Sequence, residues 1–490
     1  MQGYPPAVVY SLLVRQITIM EQQAYQSRVP IFPRSVKGRF RNLKSAILIL
    51  AYGVYFLLPW LRWDRSVGSD QAVLFDLVGR RFYVFDLVVY AQDIFWLAGL
   101  LVIFALLLFF VTGLAGRVWC GYFCFQTLWT DVFMFIEYLV QGDRNARMKL
   151  AKSPWSGNKT LRMGITWVLW LLVAVLTGLS FTLYWGNAPD LFMQMVTGQA
   201  PFAAYATTLF LTATTFVMAG LAREQVCTYM CPYARFQGVM FDKDTLVIAY
   251  DEERGERQEG RRKPSKGLLE RDARIEQQVG DCIDCGYCVQ VCPVGIDIRN
   301  GLQYQCISCA LCIDACDTIM DSISYPRGLI SYSSEHALQH KKSRRLNLKN
   351  LGYATALFLT VAALVWSVAT RSDVELNVQQ IRQPLSVQLS DGRIQNRYEI
   401  KVNNKTSKDM RYLLSIEGLN EAELDMGHFA EIEVAAERSI KIQVKVRQDP
   451  KYASMTRQDF NFVLTPVGKT ETQGVKHLSM FYIPTENLKP

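Results

Sequence analysis

CIDCGYCVQVCP at residues 282–293 and CISCALCIDAC at residues 306–316 repeat one cysteine spacing. Three cysteines separated by two residues each, then a fourth after three more, is the pattern that binds 4Fe–4S clusters, and the fourth cysteine of each run binds the other cluster. We therefore expect a bacterial-type ferredoxin module holding two 4Fe–4S clusters, the first on Cys282, Cys285, Cys288 and Cys316, and the second on Cys306, Cys309, Cys312 and Cys292. Disulfide frameworks belong in small secreted domains, and four-cysteine zinc sites use two separated pairs.

Five apolar runs in the chain of 490 residues are long enough to span a bilayer, which takes about 20 helical residues. They lie at about 43–61, 94–114, 163–183, 203–222 and 351–370. Their centres are uncharged, which favours membrane helices over five buried helices of a soluble protein. The sequence therefore predicts a multi-pass protein whose first partner is the lipid bilayer.

Basic residues predict the orientation of these spans. They cluster before the first span, between the second and third, and before the fifth, whereas the loop between the third and fourth has neither Lys nor Arg. The positive-inside rule then places the N-terminus and the cluster motifs in the cytoplasm and the C-terminal region in the periplasm of a bacterial inner membrane. We attribute the net charge of +9 to this topology and expect no nucleic-acid partner.

The sequence predicts a multi-domain chain with an α-helical membrane domain. Residues 1–42 would be a cytoplasmic leader without a cleavable signal peptide, and we expect translation to start at Met20, so that residues 1–19 are an upstream extension. The remaining parts are a four-helix transmembrane domain at 43–222, a cytoplasmic region at 223–350 with the ferredoxin module at about 275–325, a fifth transmembrane helix at 351–370, and an outer domain at 371–490.

Residues 371–490 lack cysteine and alternate apolar with polar side chains. The clearest example is Ile440–Val446, and similar short stretches lie near 398–402, 412–416, 431–434, 460–464 and 478–483. Short strands at this spacing predict an all-β sandwich. It carries no catalytic motif, so we interpret it as a docking or structural domain.

The remaining four cysteines form two matched pairs. Cys120 and Cys124 follow the second span, Cys227 and Cys231 follow the fourth, and an arginine, Arg117 or Arg223, precedes each pair. On a helix, positions i and i+4 share one face, so each pair could present two sulfur atoms to a metal. Thiolates suit Cu(I), Zn(II) or iron–sulfur centres. The alternative is that these cysteines are small buried residues at helix contacts.

Two cofactor classes are excluded by the residues that the chain lacks. Its four histidines, His336, His340, His428 and His477, all lie outside the spans, which excludes a membrane haem held by paired histidines. No glycine-rich dinucleotide loop follows a strand, which argues against a built-in NAD or FAD site.

Several phrases together resemble the family of the cytochrome c oxidase accessory protein CcoG, also called FixG or RdxA. They are Gly121-Tyr122 within the first pair, the stretch from Cys282 to Arg299, and Cys312-Ile313-Asp314-Ala315-Cys316-Asp317. The resemblance runs from about residue 34 through the clusters and implies a C-terminal immunoglobulin-like domain. One departure is Phe125 after Cys124, where related membrane ferredoxins have a proline like Pro232.

The resemblance further implies a cupric reductase that converts Cu(II) to Cu(I) during assembly of cbb3-type cytochrome c oxidase. Its expected partners are a cytoplasmic electron donor, copper or a copper chaperone, and oxidase assembly factors, with copper at Cys120, Cys124, Cys227 and Cys231. Two other functions remain open on the sequence: a quinol-linked electron-transfer subunit feeding a periplasmic reductase, and a non-catalytic, redox-sensing assembly scaffold.

Overall fold

A computed structural model of the chain describes residues 30–484, apart from 66–67, 91–92, 266, 345–346, 407, 453–454 and 469–473. The expected start at Met20 lies outside the described residues. The chain divides into two compact units. The first contains the described residues up to Phe56, Ile103–Thr182 and Ala200–Leu357, and the second contains Leu57–Val102, Leu183–Gln199 and the described residues from Phe358 onward.

Six helical segments in the described ranges are long and apolar enough to cross a membrane. They are Arg39–Trp60, Ile94–Ala115, Val118–Gln141, Gly157–Leu183, Phe202–Ala222 and Leu348–Ala369. Five of them coincide with the predicted spans, as expected for a multi-pass bacterial membrane protein. The region 43–222 therefore holds five apolar helical segments, not the four that the sequence predicted.

The segment that the prediction omitted is Val118–Gln141. It is broken at Cys124 into the helices Val118–Tyr122 and Phe125–Gln141. Its buried side chains include the acids Asp131 and Glu137, which interrupt the apolar run, and its mean hydropathy of 1.2 is the lowest of the six segments. Buried acids of this kind need cationic partners, and the fold supplies them.

The helix Phe125–Gln141 contacts Arg223 at two points. Gln126 donates its side-chain amide to the carbonyl oxygen of Arg223 at 3.2 Å, and Glu137 forms an ion pair with the Arg223 guanidinium. Arg223 therefore joins this helix to the segment that precedes the second cysteine pair.

The cysteine-rich stretch of the first unit is enclosed by short elements. The strands β4 (Val247–Tyr250) and β5 (Ile330–Ser333) pair antiparallel on either side of it in the chain. The cluster runs lead into the helices Tyr287–Gln290 and Leu311–Ser322. The other short helices of this unit are Arg144–Lys152, Pro232–Val239, Glu252–Glu256, Arg271–Glu276, Glu335–Leu338, the 3-10 turn Ile298–Asn300, and the π-helical turns Phe216–Ala222 and Val226–Met230.

The second unit begins with a three-stranded antiparallel sheet, β1 (Val73–Asp76), β2 (Arg81–Val84) and β3 (Leu87–Tyr90). The helix Ala188–Val196 and the 3-10 turns Leu58–Trp60 and Pro450–Tyr452 also belong to this unit.

The C-terminal part of the second unit consists of two antiparallel sheets. The strands are β6 Val374–Gln380, β7 Val387–Gln388, β8 Ile394–Asn404, β9 Met410–Glu417, β10 Glu423–Asp425, β11 Ile432–Val434, β12 Ser439–Gln448, β13 Arg457–Pro466 and β14 Val475–Tyr482. One sheet has the order β10-β12-β8-β6 with β7 on β8, and the other has the order β11-β9-β13-β14.

Alternating burial along β12 shows why these residues form a sandwich. Ile442, Val444 and Val446 are buried, while Lys441 and Lys445 face solvent. The inward side chains of both sheets meet in one core, and the predicted all-β sandwich is confirmed.

Candidate electron-transfer site

The eight cysteines of the two cluster runs surround two neighbouring cavities. The first cavity is lined by Cys282, Cys285, Cys288 and Cys316, and the second by Cys288, Cys292, Cys306, Cys309 and Cys312, so that Cys288 lines both. Apolar side chains such as Ile248 and Leu311 complete the wall of the second cavity. Each cavity combines thiols from both runs, which is what crossed ligation requires.

The two runs share one backbone conformation. Asp284 and Ser308 occupy equivalent positions with φ of 50° and 52°, and Gly286 and Ala310 follow with φ of 66° and 60°. L-residues adopt this left-handed conformation only where the surrounding structure requires it. Here it turns each run around its cavity just before a helix begins.

Burial controls the acidity of these thiols. It raises the pKa of Cys288 and of Cys306 to about 11, and burial together with the Cys309 thiol raises that of Cys292 to about 12. Cys285 is the exposed member of the eight. Thiols this weakly acidic stay protonated until a metal displaces the proton, so the donor set fits a thiolate-bound metal cofactor.

The spacing of the thiols fits a cluster better than a single ion. Among the described residues, no three Cys, His, Asp or Glu side chains are close enough together to bind one metal ion. In a 4Fe–4S cluster each thiolate binds a different iron atom, so the four sulfur atoms stand apart around the cage.

The two matched cysteine pairs, Cys120 with Cys124 and Cys227 with Cys231, each follow an apolar helical segment and are called the membrane-edge pairs below. Neither pair occupies positions i and i+4 of one helix, although the sequence predicted that arrangement. Cys120 lies in the helix Val118–Tyr122, but Cys124 is extended and precedes the first residue of Phe125–Gln141. Cys227 likewise lies in a π-helical turn, and the extended Cys231 precedes the helix Pro232–Val239. Each second cysteine therefore stands at a helix N-terminus, where the helix dipole favours negative charge.

The structure brings the two pairs close to each other. The Cys120 thiol donates a hydrogen bond to the Gln237 side-chain oxygen at 3.1 Å, and Gln237 follows the second pair. Burial raises the pKa of Cys227 to about 12, and the neighbouring thiols of Cys124 and Cys120 add to this rise. The four cysteines thus form one group, drawn from two regions far apart in the sequence.

The first pair packs directly on the loop of the second cluster run. A Cβ atom at Gly121 would lie 2.7 Å from the Ile307 carbonyl oxygen and 2.9 Å from the Cα atom of Cys309. The Tyr122 hydroxyl donates to the Cys309 carbonyl oxygen at 3.1 Å. Cys120, Ile307 and Cys309 also belong to one buried apolar cluster. Backbone contact therefore joins the membrane-edge cysteines to the wall of the second cavity.

Comparison with known proteins agrees with this arrangement. Residues 222–335 match a 4Fe–4S dicluster domain, residues 97–137 match a 4Fe–4S binding domain, and residues 364–484 match the immunoglobulin-like fold at the C-terminus of FixG. Protein RdxB of Cereibacter sphaeroides is 44% identical over 422 residues, covering 83% of this chain and 86% of the relative.

Two further relatives are similar over comparable lengths. Protein RdxA of Cereibacter sphaeroides is 43% identical over 409 residues, covering 81% of this chain and 84% of the relative. Nitrogen fixation protein FixG of Rhizobium meliloti is 41% identical over 428 residues, covering 81% and 80%. The chain belongs to the FixG/RdxA family. It is an iron–sulfur electron-transfer protein of that family, as the sequence resemblance implied.

Two charged residues of this FixG/RdxA-family chain lie at the site although their sequence positions did not reveal it. Arg117 is 2% exposed and donates to the carbonyl oxygen of Tyr304, just before Cys306. Lys44 is fully buried and lies 3.5 Å from the Asp131 carboxylate. The sequence marked Arg117 as part of a repeat and Lys44 as a topology signal, and neither pattern indicates burial beside a cluster loop.

Asp314 connects the first membrane helix to the cluster domain of this FixG/RdxA-family protein. It lies between Cys312 and Cys316, and its carboxylate accepts the backbone N–H groups of Phe40 and Arg41 at 3.2 and 2.7 Å. These N–H groups belong to the first turn of Arg39–Leu57 and have no partner within their own helix. A side chain from one cluster run therefore caps a membrane helix.

Proposed function

We propose that this protein is a cytoplasmic-membrane cupric reductase, which passes single electrons to Cu(II) and yields Cu(I) for assembly of a cbb3-type cytochrome c oxidase. The observation that carries the proposal is the backbone contact of Gly121 and Tyr122 with the Ile307–Cys309 loop. Electron transfer slows steeply with distance, and this contact makes the path from the second cavity to the membrane-edge cysteines short.

The ligands follow the grouping around the two cavities. One 4Fe–4S cluster would be held by Cys282, Cys285, Cys288 and Cys316, and the other by Cys292, Cys306, Cys309 and Cys312. When bound, such clusters accept and release single electrons. The exposed Cys285 marks the side on which a soluble donor could approach, and Cys309 marks the side nearest the membrane pairs.

The copper ion is the substrate, and we assign it to Cys120, Cys124, Cys227 and Cys231, two thiolates at a time, since no three of these side chains are close enough together to bind one ion. Thiolates favour Cu(I) over Cu(II), so binding there assists reduction. Each Cu(II) consumes one electron from a cytoplasmic donor, and thiols that become ligands release their protons.

The sidedness of the reaction follows from the basic residues that flank the spans. We place the cluster domain and the N-terminus in the cytoplasm and the immunoglobulin-like domain in the periplasm. The expected partners are a copper chaperone and oxidase assembly factors.

The proposal is tested by replacing all four membrane-edge cysteines with serine in the full-length protein. We expect both clusters to remain visible by electron paramagnetic resonance, while reduction of added Cu(II) by the dithionite-reduced, desalted protein is lost. Phe123→Leu and Met230→Leu are matched controls, because both exposed residues lie next to these cysteines, and they should retain activity.

Two outcomes would contradict the proposal. Undiminished Cu(II) reduction in the four-serine variant would remove the copper site. Reduction of the clusters by a quinol, without any transfer to Cu(II), would instead indicate an electron-transfer subunit that serves a different acceptor.

A further inference from the structure

Two buried cationic side chains lie near the cysteine run that lines the second cavity. Arg117 is 2% exposed and Lys44 is fully buried. Arg117 bonds to the backbone just before Cys306, and Lys44 lies in the helix whose first turn Asp314 caps. Burying cations is costly, so their position calls for negative charge nearby.

Arg117 bonds to the cluster loop, and no carboxylate of the described residues forms an ion pair with it. Its guanidinium donates to the carbonyl oxygen of Tyr304, and its Nε atom has no hydrogen-bond partner among the described residues. Arg117 directly precedes the helix that contains Cys120, and Tyr304 lies two residues before Cys306. A full positive charge therefore lies between the second cavity and the first cysteine pair.

Lys44 adds to this charge even though it has a carboxylate partner. Asp131 is shared between Lys44 at 3.5 Å and Arg41 at 2.9 Å, so two cations face one anion. Lys44 also lies one helical turn beyond the backbone groups that Asp314 caps, and Asp314 stands between Cys312 and Cys316 in the chain. This corner of the second cavity is consequently electropositive.

The first cavity also has charged groups of both signs beside it. Arg299 lines it and forms ion pairs with both Asp297 at 2.7 Å and Asp284 at 2.6 Å. Arg274 is fully buried and donates to the Cys282 carbonyl oxygen at 3.1 Å. Each cluster run therefore has its own buried arginine, and removing a cation beside one cavity should act on the cluster of that cavity.

We propose that Arg117 and Lys44 raise the reduction potential of the membrane-facing cluster, so that an electron is stabilised next to the membrane-edge cysteines. A cluster becomes more negative when it is reduced, and its potential depends on nearby charge and on solvent exposure. Burial alone would disfavour the added charge, and cations in a low-dielectric interior offset this effect strongly. Arg117 and Lys44 are positioning residues, since they act through the cluster.

The inference rests on the proposed function for the assignment of cluster ligands, and it needs no copper. The test is a potentiometric titration of the purified full-length protein, followed by electron paramagnetic resonance. In Arg117→Gln and in Lys44→Gln, we expect the midpoint potential of the membrane-facing cluster to fall by at least about 59 mV, which is a tenfold change in its one-electron equilibrium constant. The midpoint potential of the other cluster should stay unchanged. Arg299→Gln is the matched control and should lower only the other potential.

Two results at intact iron content would overturn the inference. Both variants could keep the wild-type midpoint potentials, or the potentials of the two clusters could fall equally. Either result would show that these cations do not act on one cluster selectively. If the glutamine variants lose iron, Arg117→Lys is titrated instead. It keeps the charge and should keep the wild-type potential, and a fall of the size expected for glutamine would reject the role of charge. Failure of Cu(II) reduction would leave these potentials unaffected and would reject only the proposed function.

Discussion

Gly121 lies where the first membrane-edge cysteine pair meets the Ile307–Cys309 loop, and it has no side chain to separate them. A Cβ atom there would be within 3.0 Å of three backbone atoms of the loop, and backbone cannot move aside as a flexible side chain can. The close approach of the two cysteine groups therefore depends on this one residue.

Gly121→Ala should uncouple the two cysteine groups without removing the clusters. Because electron transfer and positioning are sensitive to shifts of about 1 Å, we expect the rate of Cu(II) reduction to fall by up to about a hundredfold. The rate is measured with the dithionite-reduced protein at matched iron content. Gly238→Ala is the control, since a Cβ atom at Gly238 would meet nothing within 4 Å. Equal rates in the two variants would show that the contact is not the electron path.

Asp281 is a second residue whose role depends on burial. Its carboxylate is fully buried and accepts hydrogen bonds from Arg254 at 2.8 Å and Arg271 at 3.1 Å, directly before Cys282. Burial pushes the pKa of Asp281 upward, but these arginine bonds outweigh it and hold the pKa below its ordinary value. Stability from this group is therefore present at neutral pH and is lost as the pH falls through the lowered folded-state pKa.

Asp281→Asn should destabilise the cluster domain by roughly 1.5–3 kcal/mol, the range for hydrogen bonds to charged groups. Loss of cluster absorbance during denaturant titration measures the effect. Asp321→Asn removes a similar but exposed pair with Arg327 and should leave the transition unchanged. Coincident transitions for the two variants would argue against the buried arginine cluster.

The sequence predicted which cysteines belong to the site, but it did not predict how the neighbouring side chains pack around them. All twelve cysteines could be assigned to motifs from spacing alone, because ligand spacing is local in sequence. The role of Lys44 could not, since its basic run is typical of a membrane border and only tertiary packing buries it. The partition of the cysteines between clusters stays a prediction.

At the scale of elements, a long uncharged apolar run predicted a helix reliably, whereas a helical segment with buried acids was not recognised. The five uncharged runs all form helices, but Val118–Gln141 was missed because its acids are neutralised only by tertiary partners, Lys44 and Arg41 for Asp131 and Arg147 for Glu137. The helix breaks at Cys124 and Cys231 were also unforeseen, since a four-residue spacing fits a continuous helix equally well.

The cap that Asp314 provides to Arg39–Leu57 yields a prediction about these elements. Asp314→Ala should destabilise the first turn of that helix by about 0.5–2 kcal/mol, as loss of an N-cap side chain does. Faster amide hydrogen exchange at residues 39–42 would report it. Asp314→Asn keeps an acceptor oxygen and should show a smaller change. Protection that is equal in all three proteins would mean that the carboxylate does not cap the helix.

At the scale of the whole molecule, composition alone separates the main parts. Cysteine runs, apolar runs and alternating strands occupy different stretches, so the ferredoxin module, the membrane helices and the C-terminal sandwich were all predictable in chain order. The meeting of residues 117–124 with residues 304–309 was not, because no local pattern links segments so far apart.

The proposed sidedness leads to a prediction for the complete protein in its membrane. Trypsin added to spheroplasts should cut the C-terminal domain, where Lys441 and Arg457 are exposed, and should spare the cluster domain, where Arg262 is exposed. Inside-out vesicles should give the reverse pattern. Cleavage at Arg262 in intact spheroplasts would invert the topology.

The most direct measurement is a count of metal and electrons in protein purified under strict exclusion of oxygen. We predict about eight iron atoms per chain, from two 4Fe–4S clusters, and loss of both cluster signals as the reduced, desalted protein converts about two equivalents of Cu(II) to Cu(I). Colourless protein without iron, or reduced clusters that leave Cu(II) untouched, would contradict the account.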